Sequence, residues 1–197
     1  MRILLPAAAL LLLANCSSPE VKKQPKSTEP VTARKAFYQV YNAARMWSPD
    51  AMPLRGESMP VDGITPKDGK FGAWRFTFVS QNKGKMKVFT FAVIEASASL
   101  HEGVFGFGDV PWGGPSPIAQ PFYFQAFKVD SDAAFKTAED KSAEYLKKNP
   151  NRPVFMQLEF TRLYPETTWR VLWGDSVSTS DHSIYVSATT GLYLGKS

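Results

Sequence analysis

Between Ala33 and Trp47, apolar side chains at Phe37, Val40, Tyr41, Ala44 and Trp47 recur at three- and four-residue steps, the period of a helix with one buried face. Thr32 is placed to cap its N-terminus, and Pro49 stops it. Residues 52–70 are rich in Pro and Gly and read as a long loop with room for a short strand at 54–59. The period then drops to two. Trp74, Phe76 and Phe78 share one face of a strand over 74–80, a turn falls at 82–85, and a second strand over 86–96 puts Phe89, Phe91 and Val93 on one face. A third strand is predicted over 100–107.

The same order returns further on. A helix is predicted over 132–148, capped by Ser131 and broken by Pro150, with Phe135, Ala138, Ser142, Tyr145 and Leu146 on its inner stripe. Strands follow at 154–164, 169–173, 183–187 and 192–194, with a polar loop at 174–182 that leaves His182 as a solvated turn residue. Between the two series, 120–129 reads as a lead-in strand. Helix followed by antiparallel strands makes each half an α+β layer with the helix laid over one sheet face. The two halves run in parallel: Trp74-Arg75 answers Trp169-Arg170, and residues 94–103 answer 186–195. This order and spacing point to a tandem repeat, with units at 33–108 and 131–197 joined by a connector at 109–130.

The N-terminus has a different character. Arg2 precedes an apolar run of eleven residues, Ile3 to Leu13. That is too short for a membrane-spanning helix, which needs about 20 apolar residues, and right for a signal peptide. The segment ends Leu13-Ala14-Asn15-Cys16, which resembles the bacterial lipobox, although Asn15 stands where Gly, Ala or Ser is usual. Cys16 is the chain's single cysteine, so no internal disulfide forms and the expected role is lipidation. The expectation is a leader at 1–15 and a lipidated Cys16 with a flexible tether at 16–32. Several acyl chains on Cys16 would anchor the protein firmly in a membrane. Ser17, rather than Asp, after the cysteine implies outer-membrane sorting with the globular part in the periplasm, if the source is Gram-negative.

Composition narrows the chemistry. The net charge is +5, and removing the leader takes away Arg2 alone, leaving 22 basic residues against 18 acidic. No basic run interleaved with aromatics marks a nucleic-acid groove, so no nucleic-acid partner is expected. Two histidines, His101 and His182, do not fill a zinc site, and no metal or cofactor is expected. GxSxG, HExxH and P-loop motifs are absent, the glycine-spaced run at 103–108 reads as a strand, and Glu95 and Glu102 are not arranged as an acid–base pair. The chain is therefore read as a non-enzyme. Its most unusual local sequence is Pro111-Trp112-Gly113-Gly114-Pro115, which suits either a presented aromatic on a stiff loop or a linker whose Trp112 plugs a core edge.

The second half resembles the PepSY family. The resemblance is carried by Asp132-Ala133-Ala134-Phe135-Lys136-Thr137-Ala138, by Trp169-Arg170-Val171 and by Tyr185-Val186-Ser187-Ala188-Thr189-Thr190-Gly191-Leu192. The first half shares it faintly, and the acidic residue common after the final turn is replaced by Leu192-Tyr193. The resemblance implies two small PepSY-like α+β units without catalytic groups, a module that elsewhere inhibits or chaperones peptidases. The expected function is a membrane-anchored periplasmic lipoprotein that binds an envelope protein, with a peptidase as one such partner to be inhibited or modulated. Residues 111–115 and an exposed sheet edge are the candidate contacts. The alternative is a carrier of an apolar ligand held between helix and sheet among Phe76, Phe78, Phe89, Phe91 and Trp173.

Overall fold

The computed structural model describes residues 28–160 and 163–197. The leader at 1–15, Cys16 and the tether as far as residue 27 lie outside the described residues. One antiparallel sheet of nine strands carries helices on one face. The helix α1, Ala33–Trp47, leads into β1 (Met52–Met59), β2 (Ala73–Ser80), β3 (Lys85–Ala92), β4 (Gly103–Gly106) and β5 (Val110–Pro111). A single 3-10 turn, Phe124–Ala126, precedes α2 (Ser131–Asp140) and α3 (Ala143–Lys148). The chain then runs through β6 (Val154–Phe160), β7 (Thr167–Gly174), β8 (Ser180–Ser187) and β9 (Tyr193–Lys196). The strand order is β4-β3-β2-β1-β6-β7-β8-β9, with β5 beside β3. The α+β class holds, and the strands of the two halves join edge to edge through β1 and β6.

The helix α1 forms where its period places it. Thr32 caps it, and Ala33, Ala36, Phe37, Val40 and Ala44 are buried. Phe37 is the centre of the packing: its ring meets those of Tyr41, Phe76, Phe78, Phe124 and Phe127 at centroid distances of 5.3 to 5.8 Å. Trp74 and Trp169 meet edge to face at 6.1 Å under the join of the two halves. Each indole N–H is satisfied by a carbonyl just before a helix: Trp74 donates to Val31 and Trp169 to Val129, both at 2.9 Å. Polar groups in so dry a place need such partners.

The two helix N-termini also meet. The Ala33 N–H donates to Ser131 Oγ at 2.9 Å, and the Arg34 N–H donates to Asp130 Oδ1 at 2.9 Å. The same Asp130 oxygen accepts from the Ser131 N–H at 2.7 Å. Two positive helix ends thus share one carboxylate.

Several sequence expectations are corrected here. Residues 54–59 are no short strand in a loop but belong to β1, a central strand of eight residues. Its pattern is disguised because Gly56 stands where a core side chain would: a Cβ there would lie 2.8 Å from the Phe76 ring, so Phe76 takes its space. Residues 120–129 are not a strand. Phe122 and Phe127 turn into the core, 2 % and 3 % exposed, and Phe124 stacks on Phe37 and Tyr41. The helix over 132–148 is broken after Asp140, and its cap is Asp130, while Ser131 lies buried against α1. The second strand ends at Ala92, the third spans Gly103–Gly106, and β8 begins at Ser180, inside the expected polar loop.

Candidate functional site

Because side chains alternate along a strand, packing Trp74, Phe76, Phe78, Met156, Leu158, Trp169 and Val171 under the helices turns the intervening residues to the opposite face. Among the described residues no helix lies on that face, while Val61, Ile64 and Leu100 cover its end at Ala73 and Ala92. Across it, register places one row of residues directly opposite one another: Phe105, Thr90, Arg75, Glu57, Gln157, Arg170 and Tyr185, on β4, β3, β2, β1, β6, β7 and β8. The row is polar in the middle and aromatic at both ends.

Hydrogen bonds fix the middle of the row. Arg75 donates Nε–H to Glu57 at 2.9 Å and pairs with it through Nη2 at 2.9 Å, and Gln157 donates to the other Glu57 oxygen at 3.1 Å. One row along, Arg55 grips Glu159 through Nε and Nη2 at 3.0 and 2.9 Å. These are fork-like contacts of an arginine on a carboxylate, which fix orientation as well as charge. The glutamates lie beneath, each 16 % exposed at the side chain, and the arginines lie outside at 44 % and 39 %. The face therefore presents guanidinium to solvent. Arg170 differs from both: Nε and Nη2 donate to Ser183 Oγ at 3.2 and 3.1 Å, and Nη2 also reaches Ser180 Oγ at 3.2 Å. Among the described residues it has no carboxylate partner.

Beside this row the sheet opens. The β1–β6 ladder has three pairs, Arg55 to Glu57 with Glu159 to Gln157. Beyond it the Met156 N–H is taken by the Ser58 hydroxyl at 2.9 Å instead of a backbone carbonyl. Past the end of β1, a cleft of about 500 Å³ lies between the β1–β2 connection and the start of β6, walled by Pro60, Pro66, Phe71, Pro153, Val154 and Phe155. Arg152 also lines it, and its buried Nε–H has no acceptor among the described residues.

The residues singled out from sequence are elsewhere. Cys16 lies outside the described residues. Pro111 closes β5 against Lys85, and the Trp112 N–H donates to the Gly84 carbonyl at 3.0 Å. Trp112 is half-buried and outside the central core, while Pro111, Gly113 and Pro115 are exposed. This stretch, with Gly114 at φ 95°, stands at the β2–β3 turn and is not brought into the charged row. The sheet ends in β4 and β9, edges of four residues each. The space between α1 and the sheet, where a carried ligand would sit, is occupied by the packed rings around Phe37.

Sequence reading missed the role of His182, which is no solvated turn residue. It stacks on Tyr145 at 4.2 Å, and its Nε2 lies 2.8 Å from Ser142 Oγ. Burial, then the nearby Lys196 charge, push its pKa below the ordinary 6.5, against the pull of Asp181. The two groups share a hydrogen bond whose direction the imidazole tautomer sets. Ser142 is 2 % exposed, so this serine–histidine pair fastens the α2–α3 break to β8. Tyr145 in turn donates to Asp181 at 2.5 Å, and Arg152 bridges Asp181 and Asp175. No local signal in the sequence joins Ser142 to His182, forty positions apart.

No family model matches the chain, and no curated protein matches it. Among solved structures it is similar to a candidate lipoprotein from Clostridium difficile 630, with 10 % identity and a TM-score of 0.45 over 82 % of this chain and 91 % of that one.

Proposed function

We propose that this chain is a lipid-anchored protein of the bacterial envelope that binds another protein, without catalysis, through the open face of its sheet. The carrying observation is the row of arginines held over buried-side glutamates. Its side chains are oriented before any partner arrives, so little freedom remains to be lost on association. The row is aromatic at its ends and cationic at its surface, a composition suited to interface anchors. Lipidation at Cys16 supplies the membrane anchor, and outer-membrane sorting with a periplasmic face follows from Ser17 if the source is Gram-negative.

The reading includes two PepSY-like units. Its support is the mirrored strand order about β1 and β6, and the matched hydrogen bonds of Trp74 and Trp169 to the carbonyls before α1 and α2. On that correspondence the residue opposite Trp74, Phe91, answers the residue opposite Trp169, Val186. The alignment of 94–103 with 186–195 is therefore out by three positions. The PepSY likeness makes an envelope peptidase the partner class to test first.

The test is photo-crosslinking in intact envelopes. A benzoylphenylalanine at Thr77, on the open face, is compared with one at Gln39, on the outer side of α1, and with the position-77 chain that also carries Trp112→Ala. One defined adduct from position 77 and none from position 39 is the expected result. Equal adducts from both positions, or none from position 77, would refute the open face as the binding surface. Loss of the adduct in Trp112→Ala would bring residues 111–115 back into it.

A further inference from the structure

Resting on that protein-binding reading, we infer that the open face holds a receptor for a partner segment carrying a carboxylate beside a large apolar side chain: Arg170 takes the carboxylate, and the cleft between the β1–β2 connection and the start of β6 takes the apolar group. Two observations lead there. First, the two glutamates of the face are each gripped by their own arginine, whereas Arg170 is held only by serine hydroxyls and keeps Nη1 without a bond among the described residues. A half-buried guanidinium fixed by neutral partners is an unfilled carboxylate fork. Second, the cleft is walled by prolines and phenylalanines and has the volume of one or two large side chains.

Register brings the two features within one segment's reach. Gln157 stands opposite Arg170 and Phe155 opposite Leu172, so Phe155 and Arg170 are diagonal neighbours on the same face. Such neighbours are about 7–8 Å apart. An acidic residue and an apolar residue one or two positions apart on an extended peptide span that distance at about 3.3 Å per residue. The exposed arginines 55 and 75 extend the same positive field along the face and favour an acidic over a basic segment.

The probe is a set of fluorescein-labelled 12-residue peptides, otherwise Ser and Thr, with one Glu and one Phe separated by zero to three residues. Matched peptides carry Gln for Glu or Ala for Phe. Anisotropy is read with the full chain in detergent. At least one spacing is expected to bind. Its affinity should fall tenfold or more with the Gln peptide, with the Ala peptide, and with Arg170→Gln in the protein. Arg170→Lys, which keeps the charge and loses the fork, should fall between them. Thr65→Trp, at the exposed mouth of the cleft, should remove the preference for Phe and leave that for Glu. Lys35→Gln, on the outer side of α1, should change nothing. Thermal unfolding of each variant separates lost contact from lost fold. If no peptide prefers Glu to Gln, or if Arg170→Gln binds all peptides like the native chain, the receptor is overturned. A persisting crosslink from position 77 would then leave the protein-binding reading standing, and its absence would remove both.

Discussion

Asp130 should matter to this fold at two places at once, because one oxygen serves two helices. It accepts from the Arg34 N–H at the start of α1 and from the Ser131 N–H at the start of α2. Asp130→Ala removes both bonds and leaves two positive helix ends facing each other. Each lost bond to an N–H of a first helical turn costs about 1 kcal/mol, as a lost N-cap does, and the charge at a helix N-terminus adds about 0.3–1 kcal/mol per end. The two ends together give about 2.6–4 kcal/mol, and for a chain of this size that lowers Tm by about 5–16 °C. Asp130→Asn keeps an acceptor oxygen and loses the charge, so it should cost about 1 kcal/mol. The assay is thermal unfolding of the full chain followed by tryptophan fluorescence, since Trp74 and Trp169 lie buried beneath the junction. Salt should narrow the gap between the native chain and Asp130→Asn, because screening weakens the charge part alone. An Ala variant within about 1 °C of the native chain would refute the shared-cap argument.

The parts of the fold that were legible are those where one periodicity ruled. The helix α1 and the strand β2 show an unbroken apolar stripe, and the structure keeps both within a residue of expectation. Illegible parts are those where a distant partner decides. The central strand β1 carries Pro53, Arg55, Gly56 and Glu57, which in isolation read as loop. Only the Phe76 ring over Gly56 and the arginine–glutamate pairs with β2 and β6 make them strand. Likewise, Phe122, Phe124 and Phe127 mimic a strand because the core needs three rings from one loop. Helix propensity carried 132–148 through as one element, but Ser142 bonds across to His182 and the helix breaks there.

The candidate site was less legible still, for a related reason. The Trp112 stretch attracts notice because its composition is odd, yet the open-face row is made of ordinary residues from seven strands. What marks Arg170 is a contrast with Arg55 and Arg75 that exists only once register sets each arginine beside its neighbours. The sequence does hold one trace of it: Trp74-Arg75 and Trp169-Arg170 occupy matching places, but Arg75 meets Glu57 and Arg170 meets Gln157. That difference leaves the second arginine, among the described residues, with serine hydroxyls in place of a carboxylate.

Three further outcomes follow from the packing and the titrating groups. Gly56→Ala drives a methyl against the fully buried Phe76 ring at 2.8 Å and should cost about 1–3 kcal/mol by overpacking, measured by urea unfolding. A variant with Phe76→Leu added should recover part of it. Asp50 holds its pKa at about 2, below the ordinary 3.8, through the Asn82 N–H first and the Ser48 and Ser80 hydroxyls after it. Its contribution should be complete above pH 3.8 and disappear as pH falls through about 2, so Asp50→Asn should flatten the acid limb of a stability–pH curve there. His182 titrates in the same sense by a different cause. Burial keeps the folded imidazole neutral below 6.5, so the unfolded chain binds the proton first and stability rises with pH across that window. Its full contribution is present above pH 6.5 and is lost as pH falls through the lowered folded value, because the buried ring beside Lys196 then carries a charge. His182→Phe keeps the ring stack on Tyr145 and Trp173. It should lower stability at pH 7.5 and shrink the drop between pH 7 and pH 5. A variant whose profile over that range matches the native one would show that another group carries the dependence.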